Sequence, residues 1–410
     1  MATNTLLTND IILKEGIMHL TNNLVASKLI NRDYEAEFGG SSAKNGATIR
    51  IARPIRGQIR TGATMQVQDV TEARTALTVG TQIGADLEFT SADLTLSVDK
   101  FSERVLKPQM IKLANYIDGL VVTELTNQAY NWVGTPGTAL SSATAFFKAP
   151  ARLDDLSVPT DSRVGLMCPT DFWGMAGGLT SLYLNDVAGS ALKRAKLPML
   201  GNVDAYMSQN VISHTNGSWG TSAQTITTTL STTYASAKDT TYLSMSTQIK
   251  NMAASGVVNA GDVFTISSVF AVNPITKNQL PFLQQFVVQT TVTASGGVAS
   301  ITISPAIIAS GPYQTVSNAA PDAGAITWVG STSTTYTQSL CYHKDAATLA
   351  MPALQKPQGA AWSESRSYDG FNLRLVQGYD IVNDIQQWRF DCLVGVLAHQ
   401  PNLITRVSGS

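Results

Sequence analysis

Between Thr215 and Gln338 the chain nearly stops using charge. Lys238, Asp239, Lys250, Asp262, Lys277 and Asp322 are the only ionisable acids and amines there, and Arg and Glu are missing altogether. Thr, Ser, Ala, Val and Gly fill the stretch, whereas the flanks carry a charged block at 31–38 and a charged helical pattern after Asp99. A compositional break this sharp marks one domain inserted into another. With 410 residues the chain has room for about two or three bodies, each burying its own core.

The formal net charge is -1, from 28 basic and 29 acidic residues. That balance argues against a protein whose main task is gripping nucleic acid, which needs a strong basic bias. Charged residues make up 14% of the chain, against the usual ~25% for soluble domains. A surface so poor in charge tends to associate, which points to extensive subunit contact. Cys168, Cys341 and Cys392 are odd in number and widely spaced, so reduced, buried thiols are expected rather than a disulfide scaffold or a zinc site. Met1-Ala2-Thr3-Asn4-Thr5 lacks the basic start and apolar core of an export signal, and no apolar run approaches the ~20 residues of a membrane span. The expectation is a soluble chain made in a reducing cytoplasm.

Along the chain, Asn9 or Asp10 can cap a first helix with Leu13, Ile17, Leu20 and Leu24 on one face. That stripe is narrow and suited to docking on a neighbour. After Gly39-Gly40-Ser41-Ser42, Ile49, Ile51, Ile55 and Ile59 interleave with Arg50, Arg53, Arg56 and Arg60. Gly57 and Gly62-Ala63 give a turn, and Val67, Val70, Leu77 and Val79 lead back, as in a long two-stranded hairpin. A hairpin alone is marginal in water, so it is expected to lie against another chain. The four arginines have no aromatic platform and are followed by Asp69 and Glu72, so salt bridges across a subunit boundary are the better reading than nucleic-acid binding. The inter-subunit contact set expected on this ground is Leu13, Ile17, Leu20, Arg50, Arg53, Arg56, Arg60, Asp69 and Glu72.

Leu87–Leu96 reads as a strand and turn, followed by a long helix from Pro108 to Trp132 with Met110, Leu113, Ile117, Leu120, Val121 and Leu125 on one face. Val164–Cys168 reads as a short buried strand, with one helix after Pro169 and a helical patch from Leu182 to Lys196. The low-charge stretch reads as strands at Gln224–Leu230, Asp262–Val272, Phe282–Thr293 and Val298–Ile303, with a Gly296-Gly297 hairpin turn. That pattern suggests a small β-barrel or sandwich. Later strands are expected at Leu373–Val376 and Arg389–Ala398, with turns at Gly378-Tyr379-Asp380 and Asn383-Asp384. The class is α+β.

The usual signatures of chemistry are missing together. His19, His214, His343 and His399 stand alone, without a second ligand at metal spacing. There is no phosphate-cradling loop, no dinucleotide fingerprint and no Gly-x-Ser-x-Gly. Asp154-Asp155 and Asp384 are read as caps or turns rather than paired catalytic carboxylates. No enzyme, cofactor or metal is expected.

Three blocks carry a resemblance: 31–38 (Asn-Arg-Asp-Tyr-Glu-Ala-Glu-Phe), 86–97 (Asp-Leu-Glu-Phe-Thr-Ser-Ala-Asp-Leu-Thr-Leu-Ser) and 101–108 (Phe-Ser-Glu-Arg-Val-Leu-Lys-Pro). In this order they resemble the amino-terminal third of the P22-like coat proteins, the major capsid proteins of tailed phages. The resemblance implies a Hong Kong 97-type capsid fold with an N-terminal arm (1–38), an extended loop (39–87) and a peripheral domain with the spine helix (88–165). It also implies an axial domain (166–214, with 339–410 returning to it and to the peripheral domain) and a β-rich insertion domain (215–338). By the same resemblance the chain forms pentamers and hexamers of an icosahedral shell, assembled as a procapsid in the host cytoplasm. A scaffolding protein and a portal are implied partners, and double-stranded DNA is packaged without sequence readout as the shell expands. Decoration proteins are a further partner class of such shells. A Lys–Asn crosslink between subunits, known in some relatives, has no placeable residues here. The rival readings are a secreted β-rich surface-layer or adhesin protein, which predicts an export signal, and a glycan hydrolase, which needs convergent carboxylates.

Overall fold

The computed structural model describes residues 9–34, 47–57, 60–65, 67, 74–90, 102–179, 201–220, 222–227 and 243–409. The chain forms two compact units, residues 1–49, 76–121 and 348–397 in the first and 50–75, 122–347 and 398–410 in the second. In chain order, α1 (Asn9–Asn23) is followed by β1 (Thr48–Ala52), β2 (Arg74–Thr78) and β3 (Thr81–Thr90), and a π-helical turn at Ser102–Leu106 opens α2 (Lys107–Gln128). Next come β4 (Asn131–Val133), α3 (Ala143–Asp155), β5 (Arg163–Met167), α4 (Pro169–Leu179), β6 (Val203–Met207) and β7 (Ser213–Thr215). The low-charge stretch holds β8 (Thr225–Ile226), β9 (Met245–Lys250), β10 (Val257–Val258), β11 (Val263–Val272), β12 (Gln279–Val288), β13 (Val292–Thr293), β14 (Ala299–Ser304), β15 (Ile326–Trp328) and β16 (Thr335–Thr337). After it lie β17 (Ser339–His343), β18 (Thr348–Ala350), β19 (Trp362–Tyr368), β20 (Phe371–Asp380), β21 (Ile385–Leu397) and β22 (Ile404–Val407). The fold is α+β, as its sequence predicts.

The first unit is built on an antiparallel sheet in which β19, β20 and β21 follow one another. β21 pairs with β3 over Ile385–Val394 and with β18 over Gly395–Leu397. Phe371, Leu373, Leu375 and Phe390 are buried from this sheet, and α1 packs on β19 and β20. Ile12, Leu13, Ile17 and Leu20 of α1 are all buried, the single stripe expected of a helix on a sheet. The neighbour on which this stripe docks is therefore the chain's own sheet. Asp118 of α2 is fully buried and accepts hydrogen bonds from Val25 N (2.8 Å), Ser27 N (3.0 Å) and Ser27 Oγ (2.6 Å). One carboxylate thus satisfies the free amides of the short helical turn Ala26–Lys28.

The second unit holds a mixed five-stranded sheet in the order β4-β22-β17-β5-β6. β5 and β17 are buried along their whole length, as strands covered on both faces must be. The low-charge stretch forms a six-stranded antiparallel sheet ordered β15-β11-β12-β14-β9-β8. Its two ends meet: Thr225 bridges Ala325, Ile226 N bonds Gly324 O at 3.0 Å and Ile326 N bonds Gln224 O at 3.0 Å. The sheet closes into a small barrel, so none of its long strands is left with a free edge. Phe264, Ile266, Phe286, Val288, Ile301 and Ile303 fill it, and Trp219 stacks on Trp328 with ring centroids 4.4 Å apart. Gly296 and Gly297 both take positive φ (61° and 80°) beside the Ser295–Val298 bridge, the glycine-demanding hairpin turn expected there. β7 and β16, at the two ends of the stretch, pair with each other.

Several local expectations change. The long helix ends at Gln128, not Trp132, because Asn131–Val133 joins β22 as a parallel strand. Leu120 is only half-buried. Among the described residues the arginine hairpin is paired at its base, β1 with β2. Gly378 and Tyr379 continue β20, and the turn falls at Asp380–Asp384. Phe282–Thr293 divides into β12 and β13, which pair with different strands. Helix α3, with Ser142 as N-cap accepting from Ala145 N at 3.3 Å, was hidden by Pro150 inside it. The patch Leu182–Lys196 lies outside the described residues.

Candidate functional site

Four of the residues that could have carried chemistry have a structural occupation. Asp154 is paired with the buried Arg163 at 2.6 Å, and Asp384 accepts from Tyr379 Oη at 2.8 Å. His214 Nε2 lies 2.8 Å from Oδ1 of the fully buried Asp262. His343 caps Asp345 N through Nδ1 at 3.1 Å. Among the described residues no three His, Cys, Asp or Glu side chains converge on a common point. Burial pushes the thiols of Cys341 and Cys392 up to about 12, so both are protonated and inert at neutral pH. Cys168 is also raised, by burial first.

The most connected polar group is Arg406 on β22, which is fully buried. Its guanidinium donates from Nε to Ala129 O (3.0 Å) and from Nη2 to Thr126 O (2.7 Å) and Gly261 O (2.8 Å). Nη1 donates to Gln338 Oε1 at 3.3 Å. Burial lowers its pKa to about 9, with the charge of Asp262 acting against the fall, so it stays charged at pH 7. Arg406 therefore ties the end of α2 to the barrel and to the residue that leaves the barrel stretch. Asp262 does the same at the entrance, accepting from Gly217 N (3.1 Å) and Asn259 N (2.8 Å) besides facing His214. Gln285 adds a third tie, exchanging hydrogen bonds with the backbone of Trp132 at 2.7 and 3.0 Å. These groups fix the placement of the barrel on the five-stranded sheet.

The residues expected to meet other subunits divide three ways. Leu13, Ile17 and Leu20 are covered by the chain's own sheet and present no surface. Arg53 is also buried and Arg56 half-buried, while Arg50 and Arg60 are exposed. Asp69 and Glu72 lie outside the described residues. Arg60 Nη1 donates to the carbonyls of Gly62 and Thr64, and beyond it Met65 and Val67 are 75% and 82% exposed. Arg56 lies close enough to Lys277 for its charge to act there, and Lys277 falls to about 8, from burial first and Arg56 second.

A second open surface was not visible in the sequence. β3 has β21 as its one strand partner among the described residues. Gln82, Asp86 and Glu88 are exposed, and Ile83, Leu87 and Phe89 are only half-buried. Asp86, Leu87 and Glu88 line a groove of about 510 Å³ with Gln387, Trp388 and Arg389 of β21. Phe89 packs edge-on against Trp388 at 5.7 Å. The strands run on to a turn in which Asp380 accepts from Val382 N (2.9 Å) and Asn383 Nδ2 (2.7 Å). That turn holds Ile381 and Val382 outward, 83% and 85% exposed. The signal lay in the sequence as two apolar residues placed between Asp380 and Asn383-Asp384, but a turn tells nothing of exposure until the strands are paired.

The sequence matches the family described as P22 coat protein, gene protein 5, over residues 1–406. A comparison with curated proteins gives no match. Among solved structures the chain is similar to one from Mycobacterium phage Che8 (12% identity, 94% of this chain and 92% of the other covered, TM-score 0.47). It is also similar to the capsid of the cyanophage P-SCSP1u (11% identity, 94% and 88% covered, TM-score 0.46). The I-domain of the CUS-3 coat protein aligns at 30% identity, with 27% of this chain and 99% of the domain covered and a TM-score of 0.21. No helix among the described residues is long and apolar enough to cross a membrane.

Proposed function

The chain belongs to the P22 coat protein family and is a structural subunit of a phage capsid shell, not an enzyme; from that premise we propose that it builds an icosahedral head from pentamers and hexamers. The family match over residues 1–406 carries this reading. The shell assembles as a procapsid in the host cytoplasm, around a scaffolding protein and a portal, and expands by rigid-body shifts of its domains as double-stranded DNA is packaged. The near-neutral chain, at net charge -1, suits a container that must not trap its own genome.

In this reading 215–338 is the insertion domain, and the pairing of Ser213–Thr215 with Thr335–Thr337 supports it by bringing the two ends of the stretch together. Residues 1–38 are the arm, 39–87 the extended loop, 88–165 the peripheral domain, and 166–214 with 339–410 the axial domain and its return. The arm and the Ile49–Arg74 hairpin supply most contact between subunits, individually weak and summed over many copies. Electron microscopy of the protein produced with its phage's scaffolding protein should show uniform hollow shells. Deleting Met1–Gly40 should abolish shells, in part because it strips the buried stripe of α1 from its sheet, and normal shells from that truncation would refute the role of the arm. Shells boiled in detergent should run at the monomer mass; a ladder would show a covalent lattice instead.

A further inference from the structure

We infer that the pocket between the arginine segment and the barrel binds one small oxyanion of the phosphate or sulfate type. The pocket lies wholly within the second compact unit, so the inference goes beyond the shell reading and does not depend on it. Arg56, Tyr130, Leu156, Pro305, Gln314 and Asn402 are among the residues that line it, and no Asp or Glu is. Its volume is about 40 Å³. A water needs roughly 10–15 Å³, so there is room for about three waters or one tetrahedral anion, and too little for a nucleotide.

The charges suit such a guest. Arg56 and Lys277 are both half-buried, near enough for the charge of one to act on the other. Lys277 Nζ donates to Pro312 O at 2.6 Å, close in the chain to the pocket residues Gln314 and Thr315, and keeps two N–H groups for another acceptor. Like charges held away from bulk water repel. Burial, with the charge of Arg56 added, has already lowered Lys277 to about 8, yet it still carries its proton at pH 7. A dianion between the two groups replaces that repulsion with charge-assisted hydrogen bonds on either side. Tyr130 and Asn402 add neutral polar groups to the wall, and Val272, Gln284 and Ser304 come to it from strands of the barrel. Arg56 belongs to the segment between β1 and β2, so the bound anion pins that segment to the barrel.

The test is equilibrium dialysis of the full-length, unassembled subunit against radiolabelled inorganic phosphate, with ionic strength held constant by chloride. The subunit should bind one phosphate per chain, and unlabelled sulfate should displace it. Arg56→Gln and Lys277→Gln should each weaken the binding about tenfold. In the parent protein, phosphate should also shield Lys277 from acetylation by acetic anhydride, while the exposed Lys250 is acetylated at the same rate with or without it. Absence of saturable binding, a folded variant of either residue that binds as the parent does, or a Lys277 acetylated equally fast in phosphate would each overturn the site. Should the variants fail to fold, acetylation of the parent decides alone, protection supporting the site and its absence refuting it. A subunit that binds no phosphate yet forms shells leaves the shell reading intact, and one that binds phosphate but forms no shells leaves this pocket intact.

Discussion

Two sheets of this molecule end in opposite ways. The six-stranded sheet of the low-charge stretch joins its first and last strands at Thr225 and Ala325 and encloses Phe264, Phe286 and Ile301. Among the described residues the sheet built on β21 ends at β3, a ten-residue strand with no fully buried side chain among those described on it. Closure removes the edges through which strands associate, whereas an open edge preserves them. The barrel thus satisfies its own chain.

Substitutions on the two sheets should therefore separate stability from assembly. Phe286→Ala removes a fully buried ring from the barrel and should cost about 4 kcal/mol of unfolding free energy, read as a lower urea midpoint of the unassembled subunit. Leu87→Ala, at the half-buried edge, should cost the subunit about 1 kcal/mol or less yet reduce shell yield. Equal losses of subunit stability at the two sites would break the comparison.

Arg406→Met sharpens it at the junction. Removing the guanidinium leaves the buried carbonyls of Thr126, Ala129 and Gly261 without their donor, for a loss of about 3 kcal/mol. Hydrogen exchange should quicken at Gly261 and at the end of α2 while the interior amides of β11 and β12 stay protected. Exchange that rose equally throughout would mean that the barrel has no stability apart from its mooring.

Much of this was legible in the sequence. The six residues with charge between Thr215 and Gln338 outlined the barrel stretch, and the Gly296-Gly297 turn stands as expected. The apolar stripe of α1 was found, but its docking surface was misassigned, because periodicity tells which face is covered and not which chain covers it. The same limit moved the end of α2. Nothing near Gln128 signals a stop; the sequence-distant β22 captures Asn131–Val133, and Arg406 holds the last carbonyls. The exposure of Asp86 and Glu88 on β3 was hidden for the same reason, since only pairing shows which side of a strand is covered.

Within the first unit, Asp118→Ala should cost about 2 kcal/mol, since Val25 N, Ser27 N and Ser27 Oγ lose their acceptor in a buried site. This carboxylate ties the segment after α1 to the spine helix, so the expected readout is faster proteolysis near 25–30 with the barrel untouched. Cleavage unchanged at that segment would show that the α1 stripe alone holds it.

The smallest effect tests the rim of the barrel. Lys277 donates to Pro312 O at 2.6 Å, and burial, aided by the charge of Arg56, lowers it from 10.5 to about 8. Between those values the unfolded chain holds a proton that the folded chain has released, so stability rises with pH across that window. Below about pH 8 both states are protonated and the cost of half-burying the ammonium is fully present. Lys277→Met should then stabilise the subunit slightly at neutral pH, with the gain fading as pH climbs through the window. Thermal midpoints measured from pH 8 to 10.5 should converge for the two proteins at the alkaline end. Parallel curves would place Lys277 in solvent, and with it the rim that the arginine segment approaches. Because the group is only half-buried, solvent screening keeps the shift small, and this is the expected contrast with the dry interior around Phe286.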